Sequence, residues 1–73
     1  MIFPEKLQVI RKSKGFTQDE LAARLNVSRQ AVAKWESGQG YPDISNLIGI
    51  SDLFNVTVDY LFETAADNDM DRK

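Results

Sequence analysis

The chain contains neither cysteine nor histidine. Disulfide staples are thereby excluded, and a zinc site would have to be built from carboxylates alone, so no metal and no cofactor is expected. No stretch approaches the roughly 18 consecutive apolar residues that cross a bilayer. The opening Met1-Ile2-Phe3-Pro4-Glu5-Lys6 lacks the charged segment, long apolar stretch and cleavage site of a secretory signal. A cytoplasmic chain without a membrane span is the expectation. Catalysis has little to work with, since the chain has no histidine, no cysteine and no glycine-rich phosphate loop, and is short for a pocket. The reading is that it is not an enzyme.

What is present is a globular composition, 42% hydrophobic over 73 residues, enough for one small domain and too few for two. The polar stretch 65–73 has no apolar period and reads as a frayed tail or a linker, leaving residues 1–64 as the domain. The net charge of −2 argues against a nucleic-acid partner, but its distribution reverses that impression. Residues 1–40 hold seven basic and four acidic groups, +3, and residues 41–73 hold two basic and seven acidic groups, −5. A basic N-terminal face is masked by an acidic second half, so binding steered by a local field is expected.

Four times an apolar residue or proline precedes a capping residue, with a further apolar residue four positions after the cap: Phe16-Thr17 with Leu21, Val27-Ser28 with Val32, Pro42-Asp43 with Leu47, and Val56-Thr57 with Leu61. Each set fits a staple between the residue before the cap and the fourth helical residue, and so predicts a helix start. Glu20, three residues after Thr17, completes a capping box. An earlier helix is predicted from Pro4 in a first turn and from Leu7 and Ile10 on one stripe, ending near Gly15. Five helices result, an all-α chain. Asn26 suits the sharp turn between the second and third helices, because Asn tolerates positive φ. Gly38 ends the third helix and opens the loop Gly38-Gln39-Gly40-Tyr41-Pro42. Gly49 inside the fourth helix either permits close packing or is a tolerated weak spot costing about 1 kcal/mol.

Two capped helices joined this tightly read as a helix-turn-helix, whose dominant use is to place its second helix in the DNA major groove. At about 100° per residue, Val32 and Trp35 share one face of that helix with Ala31 beside them, which is the core face. The opposite face carries Gln30, Ala33, Lys34 and Ser37, with Arg29 on its N-terminal flank. Arg and Gln can pair bidentately with guanine and adenine, and Ala33 can lie against a thymine methyl. A plain solvated polar face is the competing account. Gln18 in the first turn of the preceding helix looks placed for phosphate. Gln39, Gly40 and Tyr41 after the recognition helix could meet a second phosphate, or form an ordinary surface turn. Ser28 and Ser37 read as a cap and phosphate donors rather than nucleophiles. Arg11 and Glu36 lie on or near the apolar stripes of their helices and are candidates for a partly buried ion pair.

The residues Thr17-Gln18-x-x-Leu21-Ala22, Val27-Ser28, Val32, Trp35-Glu36-x-Gly38, Tyr41-Pro42-Asp43, Leu47, Phe54 and Val56-Thr57-Val58-Asp59-Tyr60-Leu61 resemble the Cro and phage-repressor type of helix-turn-helix regulator, the XRE family, over about residues 4–62. The resemblance implies a compact five-helix bundle with the helix-turn-helix at helices 2 and 3. It places Gln18 on a phosphate, with Arg29, Gln30 and Lys34 at base-reading positions. It also implies a structural ion pair between Arg11 and Glu36, and Ser37 with the Gly38–Tyr41 loop along phosphates. Asn26 replaces the glycine often found at the turn, and Ser51 stands where alanine is common.

The leading expectation is a sequence-specific regulator, a repressor by preference, that binds double-stranded DNA as a homodimer on a two-fold symmetric operator with half-sites about one helical turn apart. One short helix reads few bases, so a second copy is expected. Val56, Val58 and Phe62 near the fifth helix are candidates for the dimer contact, or equally for the core. A second class is an antitoxin-like or accessory interaction module in which DNA binding is secondary. Salt separates the two, since only DNA binding should weaken steeply with ionic strength.

Overall fold

The computed structural model describes residues 1–63, and over them the chain forms α1 (Phe3–Ser13), α2 (Gln18–Leu25), α3 (Arg29–Ser37), α4 (Ile44–Phe54) and α5 (Val58–Phe62). The tail expected over 65–73 lies outside the described residues. Each predicted cap is made. Thr17 Oγ1 accepts from Glu20 N at 3.0 Å, Ser28 Oγ from Ala31 N at 3.1 Å, Asp43 Oδ1 from Asn46 N at 2.9 Å and Thr57 Oγ1 from Tyr60 N at 2.9 Å. The Glu20 carboxylate in turn accepts from Thr17 N at 2.8 Å, closing the capping box. Each such cap satisfies an orphan donor and contributes about 1 kcal/mol.

The helix ends follow one pattern. Gly15, Asn26, Gly38 and Asn55 all take positive φ, between 57° and 83°. One residue further on, an N–H bonds back five residues into the helix: Phe16 to Arg11 O, Val27 to Ala22 O, Gln39 to Lys34 O and Val56 to Ser51 O, at 3.0–3.1 Å. This is the Schellman arrangement, which recovers carbonyls that a helix end leaves unpaired. At three of the four ends the next residue is also the one before the next cap. Phe16, Val27 and Val56 thus close one helix and staple the start of the following one, each packed against the core. That fusion makes the α1–α2, α2–α3 and α4–α5 connections short. Asn55 was not singled out from the sequence, although it repeats the Asn26-Val27-Ser28 pattern as Asn55-Val56-Thr57.

Phe3, Leu7, Ile10, Leu21, Ala22, Val32, Trp35, Ile50, Phe54 and Leu61 form the core, with contributions from every helix. A fully buried Leu or Val contributes about 1.5–3 kcal/mol. Gly49 has a packing reason: a Cβ there would lie 3.1 Å from Leu25 Cδ2, so its absence lets α4 close on α2. None of the described helices is long and apolar enough to cross a membrane.

Lys6 is buried, and sequence pattern alone did not reveal why. Its ammonium donates to Tyr60 O at 2.8 Å and Glu63 O at 2.7 Å, and sits 4.2 Å from the Tyr60 ring centroid. A cation against the C-terminal carbonyls of α5 complements the helix dipole and ties the shortest helix to α1. Lys6→Met is therefore expected to lower the unfolding free energy by about 1–3 kcal/mol, read from urea titration, because two charge-assisted bonds are lost.

Candidate nucleic-acid interface

Arg11, Glu36 and Gln18 meet where α1, α2 and α3 converge. Arg11 Nε donates to Glu36 Oε2 at 2.7 Å and Arg11 Nη2 to Glu36 Oε1 at 3.0 Å, a bidentate pair in which both residues are buried. Arg11 Nη1 donates to Phe16 O at 2.7 Å, on the α1–α2 connection. Gln18 Nε2 donates to Glu36 Oε1 at 3.0 Å, and Gln8 Nε2 to Glu36 O at 3.1 Å. One carboxylate on α3 is thus held from both neighbouring helices. The hydrogen bonding of Arg11 to Glu36, opposed by burial and aided by the carboxylate's charge, raises the Arg11 pKa above its already high ordinary value. The guanidinium stays charged wherever the domain is folded.

This junction fixes how α3 is presented. Val32, Trp35 and Glu36 turn inward and are buried, while Arg29, Gln30, Lys34 and Ser37 are exposed and Ala33 is half-buried. Gln30, Ala33, Lys34, Ser37 and Gln39 line one open groove along the outer face. Three of the four predicted base-reading positions, Gln30, Ala33 and Lys34, therefore share a surface. Arg29 stands at its N-terminal flank, with Nη1 donating to Gln18 Oε1 at 3.4 Å and Nε 3.5 Å from Asp19 Oδ1. A second recess, lined by Gln8, Arg11, Lys12, Gln18, Ala33, Glu36 and Ser37, adjoins the first through Ala33 and Ser37. It brings Gln18 and Ser37 together and adds Lys12, an exposed cation that the sequence reading counted only as charge.

The candidate phosphate residues divide. Gln18 sits at the recess with its amide already held by Glu36, which orients the side chain. Ser28 Oγ accepts the cap bond, and Ser37 Oγ donates to Lys34 O at 3.2 Å. The Gln39 backbone N–H donates to Lys34 O at 3.0 Å, and the residue lines the groove. Gly40 is half-buried in the loop. Tyr41 is 60% exposed, with its ring 5.5 Å from Phe3 and 6.3 Å from Phe62, so it belongs to an aromatic cluster over the α1 start and α5 end. Among the candidate dimer residues, Val56 is half-buried and packs against the core, the second of the two roles open to it. Val58 is half-buried, and Phe62 is 43% exposed while stacked on Phe3 at 5.0 Å.

Comparison with known proteins agrees with this geometry. A family model described as helix-turn-helix matches residues 7–61. The chain is 54% identical over 61 residues to the HTH-type transcriptional activator BcrR of Enterococcus faecalis, covering 84% of this chain and 30% of that protein. It is 37% identical over 71 residues to the SPbeta prophage-derived HTH-type regulator YonR of Bacillus subtilis, covering 96% of this chain and 66% of that protein. The chain thus spans only part of the length of these curated relatives. The P22 c2 repressor, solved in complex with a synthetic operator, superposes with a TM-score of 0.82 at 27% identity, over 86% of this chain and 96% of that one.

Glu36→Gln is expected to destabilise the domain by about 3–5 kcal/mol, because it leaves the Arg11 guanidinium buried without its counter-charge. The double change Arg11→Met with Glu36→Leu is expected to recover most of that loss. Thermal unfolding of Glu36→Gln beside wild type checks the first, and wild type, Arg11→Met, Glu36→Leu and their combination close a double-mutant cycle for the second.

Proposed function

The chain belongs to the helix-turn-helix family, and from that premise we propose that it is a sequence-specific regulator that binds double-stranded DNA with α3 in the major groove. The observation that carries the reading is the division of α3: one face locked into the core by Val32, Trp35 and Glu36, the other open as a groove lined by Gln30, Ala33, Lys34, Ser37 and Gln39. A merely solvated helix would not need a bidentate buried ion pair to set its roll. In this reading Arg29, Gln30, Ala33 and Lys34 meet base edges, Arg on guanine, Gln on adenine and Ala on a thymine methyl.

Phosphates lie on either side of that groove. Gln18, with Lys12 beside it and free N–H groups at the start of α2, takes one strand. Ser28, Ser37 and the loop with Gln39, Gly40 and Tyr41 approach the other, Tyr41 through its hydroxyl. Both serine hydroxyls are bonded to backbone, which fits positioning and not nucleophilic attack. Residues 1–40 carry a net +3, and of their basic groups Lys12, Arg29 and Lys34 are exposed along or beside the groove, where they would attract phosphate.

Two copies on a symmetric site complete the proposal, since one short helix reads too few base pairs for useful specificity. Val58 and Phe62 are the retained candidates for contact across the axis. Whether occupancy represses by occluding polymerase or activates by recruiting it depends on where the operator lies, and the relatives include proteins named for each output. Repression needs only the bound domain, so it is the output proposed for this chain alone.

Selection from a random duplex library should return an inverted repeat with half-sites about one helical turn apart, with binding that falls steeply as salt rises. No enrichment at any salt would turn the reading toward an accessory protein-interaction module. On the selected site, Arg29→Ala is expected to cost about 1–3 kcal/mol and to relax preference at one base pair per half-site in a mobility-shift titration.

A further inference from the structure

Arg29 has the longest side chain among the proposed base readers, and in the free domain it makes two exposed contacts across the helix-turn-helix. Its Nε lies 3.5 Å from Asp19 Oδ1, and its Nη1 donates to Gln18 Oε1 at 3.4 Å. Both partners belong to the first turn of α2, and Gln18 is itself fixed by Glu36. A guanidinium has five N–H groups in one plane; one on Nη1 is donated to Gln18, Nε faces Asp19 as an ion pair, and both N–H groups on Nη2 stay open. Guanine O6 and N7 need only two.

We propose that Asp19 is a positioning residue for sequence recognition, its carboxylate holding the Arg29 guanidinium across the helix-turn-helix so that the remaining N–H groups meet a guanine with little loss of side-chain freedom. Restraint before binding lowers the ordering cost of the contact, and it favours the one base that accepts the fixed fork. An acidic residue on a DNA-facing surface otherwise only repels phosphate, which gives Asp19 two effects of opposite sign. Removing its charge strengthens attraction to any duplex, while releasing Arg29 weakens discrimination at the base that Arg29 reads. The proposal rests on the reading of Arg29 as a base-contacting residue.

The test uses the full chain and duplexes recovered by the wild-type protein from a random library, with each half-site position changed in turn to the other three bases. For Asp19→Asn, discrimination at the base pair read by Arg29 is expected to fall by about two- to five-fold, the scale of an exposed ion pair. Discrimination at every other position stays as in wild type. A merely structural role in the first turn of α2 would instead weaken all duplexes alike, leaving the pattern unchanged. Uniform change with full discrimination retained at the Arg29 position overturns the proposal. Arg29→Ala, measured in parallel, separates the two levels. If it relaxes the same position and Asp19→Asn adds nothing to it in the double variant, the pair acts as one unit. Loss of discrimination with Arg29→Ala but none with Asp19→Asn removes only the positioning role. No loss with Arg29→Ala removes the base-reading role and the proposal with it.

Discussion

The bidentate contact between Arg11 and Glu36 is the constraint on which the presentation of α3 depends. It is buried, it joins α1 to α3, it is tied to α2 through Gln18 and to the α1–α2 connection through the Phe16 carbonyl, and it fixes the roll of α3 about its axis. A buried ion pair is weak evidence for stability, because desolvation offsets much of the Coulomb gain. Its contribution is orientation. Val32 and Trp35 alone would hold α3 on the core through non-directional contacts. The forked carboxylate adds direction, and the groove outside follows from it.

A second constraint lies in the connections. Where one apolar residue both closes a helix and staples the next, the turn has no slack, and α2 and α3 keep one angle. The α3–α4 loop breaks the pattern. There the residue after the left-handed Gly38 is the polar Gln39, and three more residues pass before the Asp43 cap. The exception falls at the end of the helix proposed to enter the groove, where a polar side chain and a longer loop leave room for a duplex backbone. Stability at the other turns and access at this one arise from the same local rule, kept or broken.

Most of the fold was legible because its signals are local. Thr17, Ser28, Asp43 and Thr57 cap, Gly15, Asn26 and Gly38 stop, and periodicity placed Val32 and Trp35 inward, all within a few residues. Asn55 carries the same local signal in Asn55-Val56-Thr57. Lys6 was not legible, since its partners are the Tyr60 and Glu63 carbonyls more than fifty residues away. For the same reason, spacing alone left the Arg11–Glu36 pair a candidate, and the resemblance to a known family carried it. In the candidate site, the outward set Gln30, Ala33, Lys34 and Ser37 followed from helical angle. The coupling of Arg29 to Asp19 and the engagement of the Gln39 N–H did not, because both depend on how one element meets the next.

A helix oriented by a buried ion pair is proposed to offer its outer groove to DNA. Titrating the isotopically labelled chain with the selected operator duplex and following every backbone amide tests it most directly. The largest shifts are expected on Gln30, Ala33, Lys34, Ser37, Gln39 and the start of α2 at Gln18, with Leu7, Ile50 and Leu61 little changed. Shifts centred on α4 and α5, with the α3 groove unmoved, would contradict it.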